Sequence, residues 1–379
     1  MIAAALLAVS LFLPEISDSS TVLQQVAVST ATLQFEQLSQ AADRAREENH
    51  DDEAIGLYRR ALAERPEWEQ GLWYFGTLLY EAQDYADARD VLRRFVALRE
   101  DAGPGWAFLG MSEFQTHEYS RALEHLQRAM ALGMGDRTEI VQRVFFYSAT
   151  LFTRLERYDD SMAMLARMIA SDRDPSSLIE PAGLAGLRIP LLPSEIPAGR
   201  RELIQMAGAA VVDLQIQHYE DADTAFRRLE TAYPNEPGVH FLYGAYLMQL
   251  HPEEGIREMK RELEISPSHV LARVRLAAQY LEQQQVDEAL PLAEEAAKLD
   301  PHLASARMLL GEAYVTKGNL VEGTKELEAA REDDPASSRI HWDLARAYAS
   351  AGRAEDAKRE KEEIEKLSRS NTPETPAPK

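Results

Sequence analysis

Residues 304–335 read ASARMLLGEAYVTKGNLVEGTKELEAAREDDP. Arg307, Leu310, Gly311 and Tyr314 fall at i, i+3, i+4 and i+7, which is one stripe of a helix. Lys317-Gly318-Asn319 supplies a turn, and Leu320, Gly323, Leu327 and Ala330 line the inner face of a second helix. Pro335 closes the unit, because proline lacks the N–H a helix interior needs. The same closure recurs: Pro234, Pro267, Pro301 and Pro335 stand 33, 34 and 34 residues apart, ending the stretches TAYP, EISP, KLDP and EDDP. The preceding unit repeats the stripe with Leu276, Ala277 and Tyr280, then Ala289, Ala293 and Ala296. The following one does so with Leu344, Ala345, Tyr348 and Gly352, then Ala357 and Ile364.

The pattern extends towards the N-terminus. Phe35–Pro66 ends in DEAIGLYRRALAERP, the unit from Glu69 to Ala102 carries Phe75-Gly76 and YADARDVLRRF, and Gly103–Met134 carries WAFLG and YSRALEHLQRAM. Residues 142–170 give a weaker copy, and two more run over Leu203–Pro234 and Asn235–Pro267. Small residues sit where two helices must approach closely: Gly76, Gly110 and Gly311 in the first helix, and Ala54, Ala88, Ala122, Ala222 and Ala289 in the second. Leu38, Trp106, Tyr58, Leu126 and Phe226 fill the remaining volume. Ser161, Gly255 and Gly323 stand at the second helix's small position, and the two glycines predict less rigid helices there.

This helix–turn–helix pattern resembles the tetratricopeptide repeat, of a bacterial and exported kind. The resemblance implies an all-α, right-handed solenoid of about nine units. The expected organisation is a candidate signal peptide at 1–19, a leading segment at 20–34, four units over 35–170, a proline-rich crossover at 171–199, five units over 200–367, and a disordered tail at 368–379. Five prolines in the crossover (Pro175, Pro181, Pro190, Pro193 and Pro197) exclude a long helix there, while Leu187, Ile189, Leu191, Leu192 and Ile196 predict that it packs against something. The last helix becomes highly charged, with Lys361 at a position that is apolar in most other units, as a terminal cap requires.

Bulk composition narrows the function. The 379-residue chain carries 63 acidic and 41 basic side chains, a formal charge of −22. Nucleic-acid binding normally needs a basic stripe, and none is visible. Without cysteine there are no disulfides, thiolate metal sites or cysteine nucleophiles. Ile2–Leu13 is an uncharged apolar run, too short to span a bilayer and suited to a signal-peptide core, although no basic residue precedes it. The expected location is therefore exported, periplasmic or secreted. The alternative is a cytoplasmic or N-terminally tethered protein, whose only membrane contact would be an uncleaved N-terminal segment.

Catalytic signatures are missing. Gly110-Met111-Ser112-Glu113-Phe114 starts like a nucleophile elbow, but Phe114 replaces the second glycine and the stretch lies within a repeat helix. None of the nine histidines pairs with another at a spacing of three or four, so neither a metal nor a cofactor is expected. By resemblance, the second, fifth, ninth and twelfth positions of each first helix face a concave groove. These positions include Trp73, Thr77, Tyr80, Met111, Phe114, Phe146, Phe241, Met248, Met308, Trp342 and Arg346, the candidate partner-binding residues. Some relatives grip a C-terminal carboxylate with Lys and Asn at such positions. Here they read Ser39 and Asp43, Trp73 and Thr77, Ala107 and Met111, so that clamp is absent. The reading is a non-enzymatic scaffold or adaptor that binds a protein or peptide segment, in envelope assembly or secretion. The competing readings are a chaperone-like carrier of apolar ligands or lipids, and an enzyme with a site between the two arrays.

Overall fold

The computed structural model describes residues 19–135, 138–172 and 174–370, with side chains from residue 32 to 369. The apolar run Ile2–Leu13 lies outside the described residues; of the expected tail 368–379, residues 368–370 continue the last helix and 371–379 lie outside the described residues. The described residues form nineteen α-helices and no strand. They fall into two compact units, Met1–Leu155 and Glu156–Lys379. The first unit holds α1 (Ser19–Glu47), α2 (Asp51–Glu64), α3 (Glu69–Glu81), α4 (Tyr85–Leu98), α5 (Gly103–Gln115), α6 (Tyr119–Leu132) and α7 (Thr138–Arg154). The second begins with α8 (Tyr158–Ser171), α9 (Ile179–Gly186), α10 (Ala198–Gln215), α11 (Tyr219–Ala232), α12 (Val239–Leu250) and α13 (Pro252–Ile265). It ends with α14 (Val270–Glu282), α15 (Val286–Leu299), α16 (Ala304–Thr316), α17 (Leu320–Asp333), α18 (Ser338–Ser350) and α19 (Ala354–Ser370).

The proline punctuation acts as the sequence predicts. Pro66, Pro234, Pro267, Pro301 and Pro335 each lie two residues beyond the last helical residue of α2, α11, α13, α15 and α17. A proline disfavours helical backbone at the residue before it, so the intervening residue leaves the helix. Turns inside the repeats use a second device. Asn49, Gln83, His117, Gln217, Gln284, Gly318 and Gly352 all have positive φ, and each follows the first helix of its pair. Their amides and those of their successors bond back to the last turn, as in Gln83 N to Tyr80 O and Asp84 N to Leu79 O.

Close approach at the small positions holds the pairs together. A Cβ on Gly76 would lie 2.7 Å from Leu92, on Gly110 2.8 Å from Leu126, and on Gly311 2.6 Å from Leu327. Ala54, Ala88, Ala122, Ala222 and Ala289 are fully buried. First helices also touch one another: α3 meets α5 and α5 meets α7, while in the second unit α12, α14, α16 and α18 meet in turn. Gly255 and Gly323 mark tighter packing rather than looser helices. A Cβ there would sit 2.7 Å from the Met248 amide nitrogen and 2.6 Å from Val315.

The described residues of the crossover are folded. They hold 3₁₀ turns at Pro175–Leu178 and Pro193–Glu195 around the eight-residue α9. Leu187, Leu192 and Ile196 are buried, and Ile189 and Leu191 are half-buried. α9 docks on α10 almost backbone to backbone. A Cβ on Gly183 would stand 2.0 Å from the Ile204 carbonyl oxygen, and one on Gly208 1.8 Å from that of Ile179. At its far end, Gly186 approaches Leu242 of α12 and the Leu187 carbonyl approaches Gly238, which caps that helix. Arg188, with φ 56°, ends α9 as a repeat's first helix ends, and Ile189 N bonds back to Leu184 O. Burial holds the Arg188 guanidinium pKa below its usual value; it lies 4.4 Å over the Tyr158 ring and 3.8 Å from Asp159.

Gly183→Ala and Gly208→Ala are therefore expected to destabilise the chain by about 1–3 kcal/mol or more, since both neighbours are backbone. Gly56→Ala, on α2 with nothing within 4 Å of the new Cβ, is expected to stabilise it by about 0.5–1 kcal/mol. Urea unfolding of the three variants measures the contrast.

Candidate interaction surfaces

In the first unit the candidate residues converge on an aromatic cluster. Trp73, half-buried on α3, packs against Phe95 at 5.4 Å and edge-on to Phe108 at 5.6 Å between ring centres. Tyr80 meets the same Phe108 edge-on at 5.3 Å and is buried. Burial and the nearby Tyr147 raise the Tyr80 phenol pKa above its ordinary value. Thr77 turns its hydroxyl back to the carbonyl oxygens of Trp73 and Tyr74. Phe114 stacks on Tyr147 at 4.3 Å, and Phe146 borders the same tyrosine. Beside Trp73 a cleft of about 1270 Å³ opens where α3, α4 and α5 meet the loop after α2. Trp68, Trp73, Phe95, Pro66, Pro104 and Met134 supply its apolar walls; Arg65, Arg99, Glu67 and Glu69 also line it.

The structure places Met111 elsewhere. It is fully buried, so the expectation that it faces a groove gives way to a core role. Its neighbour Ser112 is equally buried and donates its hydroxyl to the Phe108 carbonyl, as an ordinary helical serine does.

In the second unit the candidates divide. Phe241 is 7% exposed and belongs to a core cluster with Ala272, Leu276 and Tyr280 of α14; its ring lies 4.5 Å from His269. Met248 is half-buried against that cluster, and Met308 is half-buried against two others. Trp342 is different: it is 54% exposed on α18. The Arg346 guanidinium lies 5.3 Å from the Trp342 ring and 3.3 Å from Glu312 on α16. Glu312 also binds Arg339 at 3.1 Å, and Arg339 donates to Asp343 at 2.9 Å. Burial raises the Asp343 carboxyl pKa despite that partner. Trp342 is thus an exposed aromatic held beside a fixed network of two arginines and two carboxylates.

Sequence patterns of the tetratricopeptide repeat match residues 39–105, 74–137, 280–341 and 322–361. The chain is a tetratricopeptide-repeat protein. A 148-residue stretch, 35% of the chain, is 25% identical to ALBINO3-like protein 3, mitochondrial, of Arabidopsis thaliana, and spans 26% of that protein. Among solved structures, MamA 41-end from Desulfovibrio magneticus RS-1 is 23% identical, with a TM-score of 0.42 over 45% of this chain and 97% of that one. A MamA RS-1 ArsTM double mutant gives the same identity and TM-score over 45% of this chain and 96% of that one. Repeats of this family build protein-interaction scaffolds.

The division between core and surface is measurable. Met111→Ala is expected to cost about 2–5 kcal/mol and Phe241→Ala about 3–5 kcal/mol, as cavity-forming changes do. Trp342→Ala is expected to stay within about 0.5 kcal/mol of the wild type in chemical denaturation.

Proposed function

We propose that this repeat protein is a non-catalytic adaptor that binds a protein segment through the Trp73 cleft of its first unit, outside the cytoplasm. The observation that carries the reading is a tryptophan wall, backed by Phe95 and Phe108, standing over an open cleft lined with prolines and both signs of charge. Aromatic side chains at the centre of such a patch concentrate binding energy, and charged rims steer the partner. The exposed Trp342 and Arg346 offer a second, smaller contact of the same chemical kind. The apolar run Ile2–Leu13 motivates the location, and a role in envelope assembly or secretion follows from the two together.

The test is a pull-down from the native envelope fraction, read by quantitative mass spectrometry, with wild type and Trp73→Ala compared at equal circular dichroism. Loss of a hot-spot tryptophan worth about 2 kcal/mol predicts roughly a 30-fold weaker capture of the specific partner. Equal retention of every captured protein by both forms would remove the cleft from the mechanism. Fractionation of the tagged full-length chain decides its compartment independently.

A further inference from the structure

One polar contact recurs between successive repeats. A side-chain N–H in the first turn of the first helix donates to the carbonyl six residues earlier, at the end of the preceding repeat. Trp106 does so to Glu100 at 2.9 Å, His240 to Pro234 at 3.0 Å, Arg307 to Pro301 at 2.5 Å and His341 to Pro335 at 3.0 Å. The last three also reach a glutamate on their own repeat's second helix. His240 Nδ1 lies 2.6 Å from Glu258, Arg307 Nη1 3.1 Å from Glu326, and His341 Nδ1 2.6 Å from Glu360.

The two histidine sites differ in a third residue, found ten positions ahead of each histidine. Beside His341 it is Arg331, whose guanidinium binds the other Glu360 oxygen at 2.5 Å. Beside His240 it is Glu230, with a carboxylate oxygen 4.0 Å from Nδ1. The His341 site therefore has a permanent cation opposite its carboxylate. The His240 site has two carboxylates around one imidazole nitrogen. Arg227, whose charge acts on Glu230, is engaged with Asp223 at 2.8 Å and Glu254 at 3.8 Å.

Both histidines turn Nε2 to a proline carbonyl and Nδ1 to a glutamate, so the asymmetry lies in the third residue alone. With the Nε2 hydrogen given to the Pro234 carbonyl, a neutral His240 turns its Nδ1 lone pair towards Glu258. Two acceptors at that distance need a proton or a metal cation between them, and at His240 a second carboxylate, Glu230, faces the same nitrogen. A histidine whose outer N–H is fixed by a backbone carbonyl is also the usual posture of a metal ligand. Nδ1 of His240 and one oxygen each of Glu230 and Glu258 lie within 4.8 Å of one another. The histidine ring is buried, and Glu230 is partly open to solvent, which leaves a path in.

We infer that Glu230, His240 and Glu258, from α11, α12 and α13, form a binding site for a divalent transition cation. One imidazole and two carboxylates suit zinc with a water in the fourth place, whereas Ca²⁺ and Mg²⁺ favour all-oxygen shells. The ligands come from three helices, so no short sequence spacing announces them.

The probe is Zn²⁺ titrated by calorimetry into the full-length, chelator-treated protein, with thermal unfolding as a second readout. Wild type is expected to take one zinc per chain and to melt at a higher temperature with zinc present. Glu230→Arg gives the site the composition of its His341 counterpart, so the fold is kept while affinity falls by on the order of 100-fold. Arg331→Glu is expected to create a second site. Absence of saturable zinc binding in wild type, or unchanged affinity and stoichiometry in Glu230→Arg, would overturn the assignment. The latter result would mean adventitious surface zinc, and the former that a proton alone bridges His240 and Glu258.

Discussion

The molecule depends on how closely two helices of a pair can approach. At Gly76, Gly110 and Gly311 a single added carbon would collide with the partner helix. A contact that tight gives each helix dense dispersion contacts and leaves no room for water. It also fixes where the large residues must lie, so Tyr58, Leu92, Leu126 and Phe226 are buried to completion. A pair alone still exposes one apolar face. Its cover is the next pair, which is why first helices touch first helices along each unit.

That dependence explains what was legible in the sequence. Proline closures and small residues are local necessities of every copy, so their spacing disclosed the helix pairs. The groove was less legible. Positions that face outward in an isolated helix become core wherever neighbouring first helices pack tightly. Phe241 shows this directly, since its cluster partners Ala272, Leu276 and Tyr280 belong to the next first helix. Trp342 stays exposed because, among the described residues, no further first helix packs on α18, whose pair is completed by the charged α19. The glycines Gly255 and Gly323 misled for a related reason: helix propensity speaks of an isolated helix, while their neighbours at under 3 Å demand the missing side chain.

The crossover shows the same rules applied without the repeat. Five prolines limit it to one short helix, and two glycines let that helix lie on α10 at backbone contact. Its Arg188 turn imitates the end of a repeat's first helix. Its buried leucines then complete the apolar cover where the period lapses. A proline-rich stretch inside a repeat array is thus a structural member when its apolar residues are spaced to pack and its glycines match those of the helix beneath.

Polar groups enter this fold at the seams between repeats. A helix terminus buried at a seam leaves amides and carbonyls that need partners. Glu262 answers this for α12: its carboxylate, fully buried, accepts from the Gly238 amide at 2.9 Å and the Phe241 amide at 3.2 Å. The first-turn donors answer it for the carbonyls of Glu100, Pro234, Pro301 and Pro335. Backbone geometry dictates that a donor be present, but it accepts Trp, His or Arg equally. The remaining atoms of that donor, and the two residues facing it, are free to vary in charge without disturbing the helices. A repeat protein can therefore place distinct chemistry at one seam while keeping the others structural, and the exchange of Arg331 for Glu230 between two otherwise matching seams is a difference of that kind.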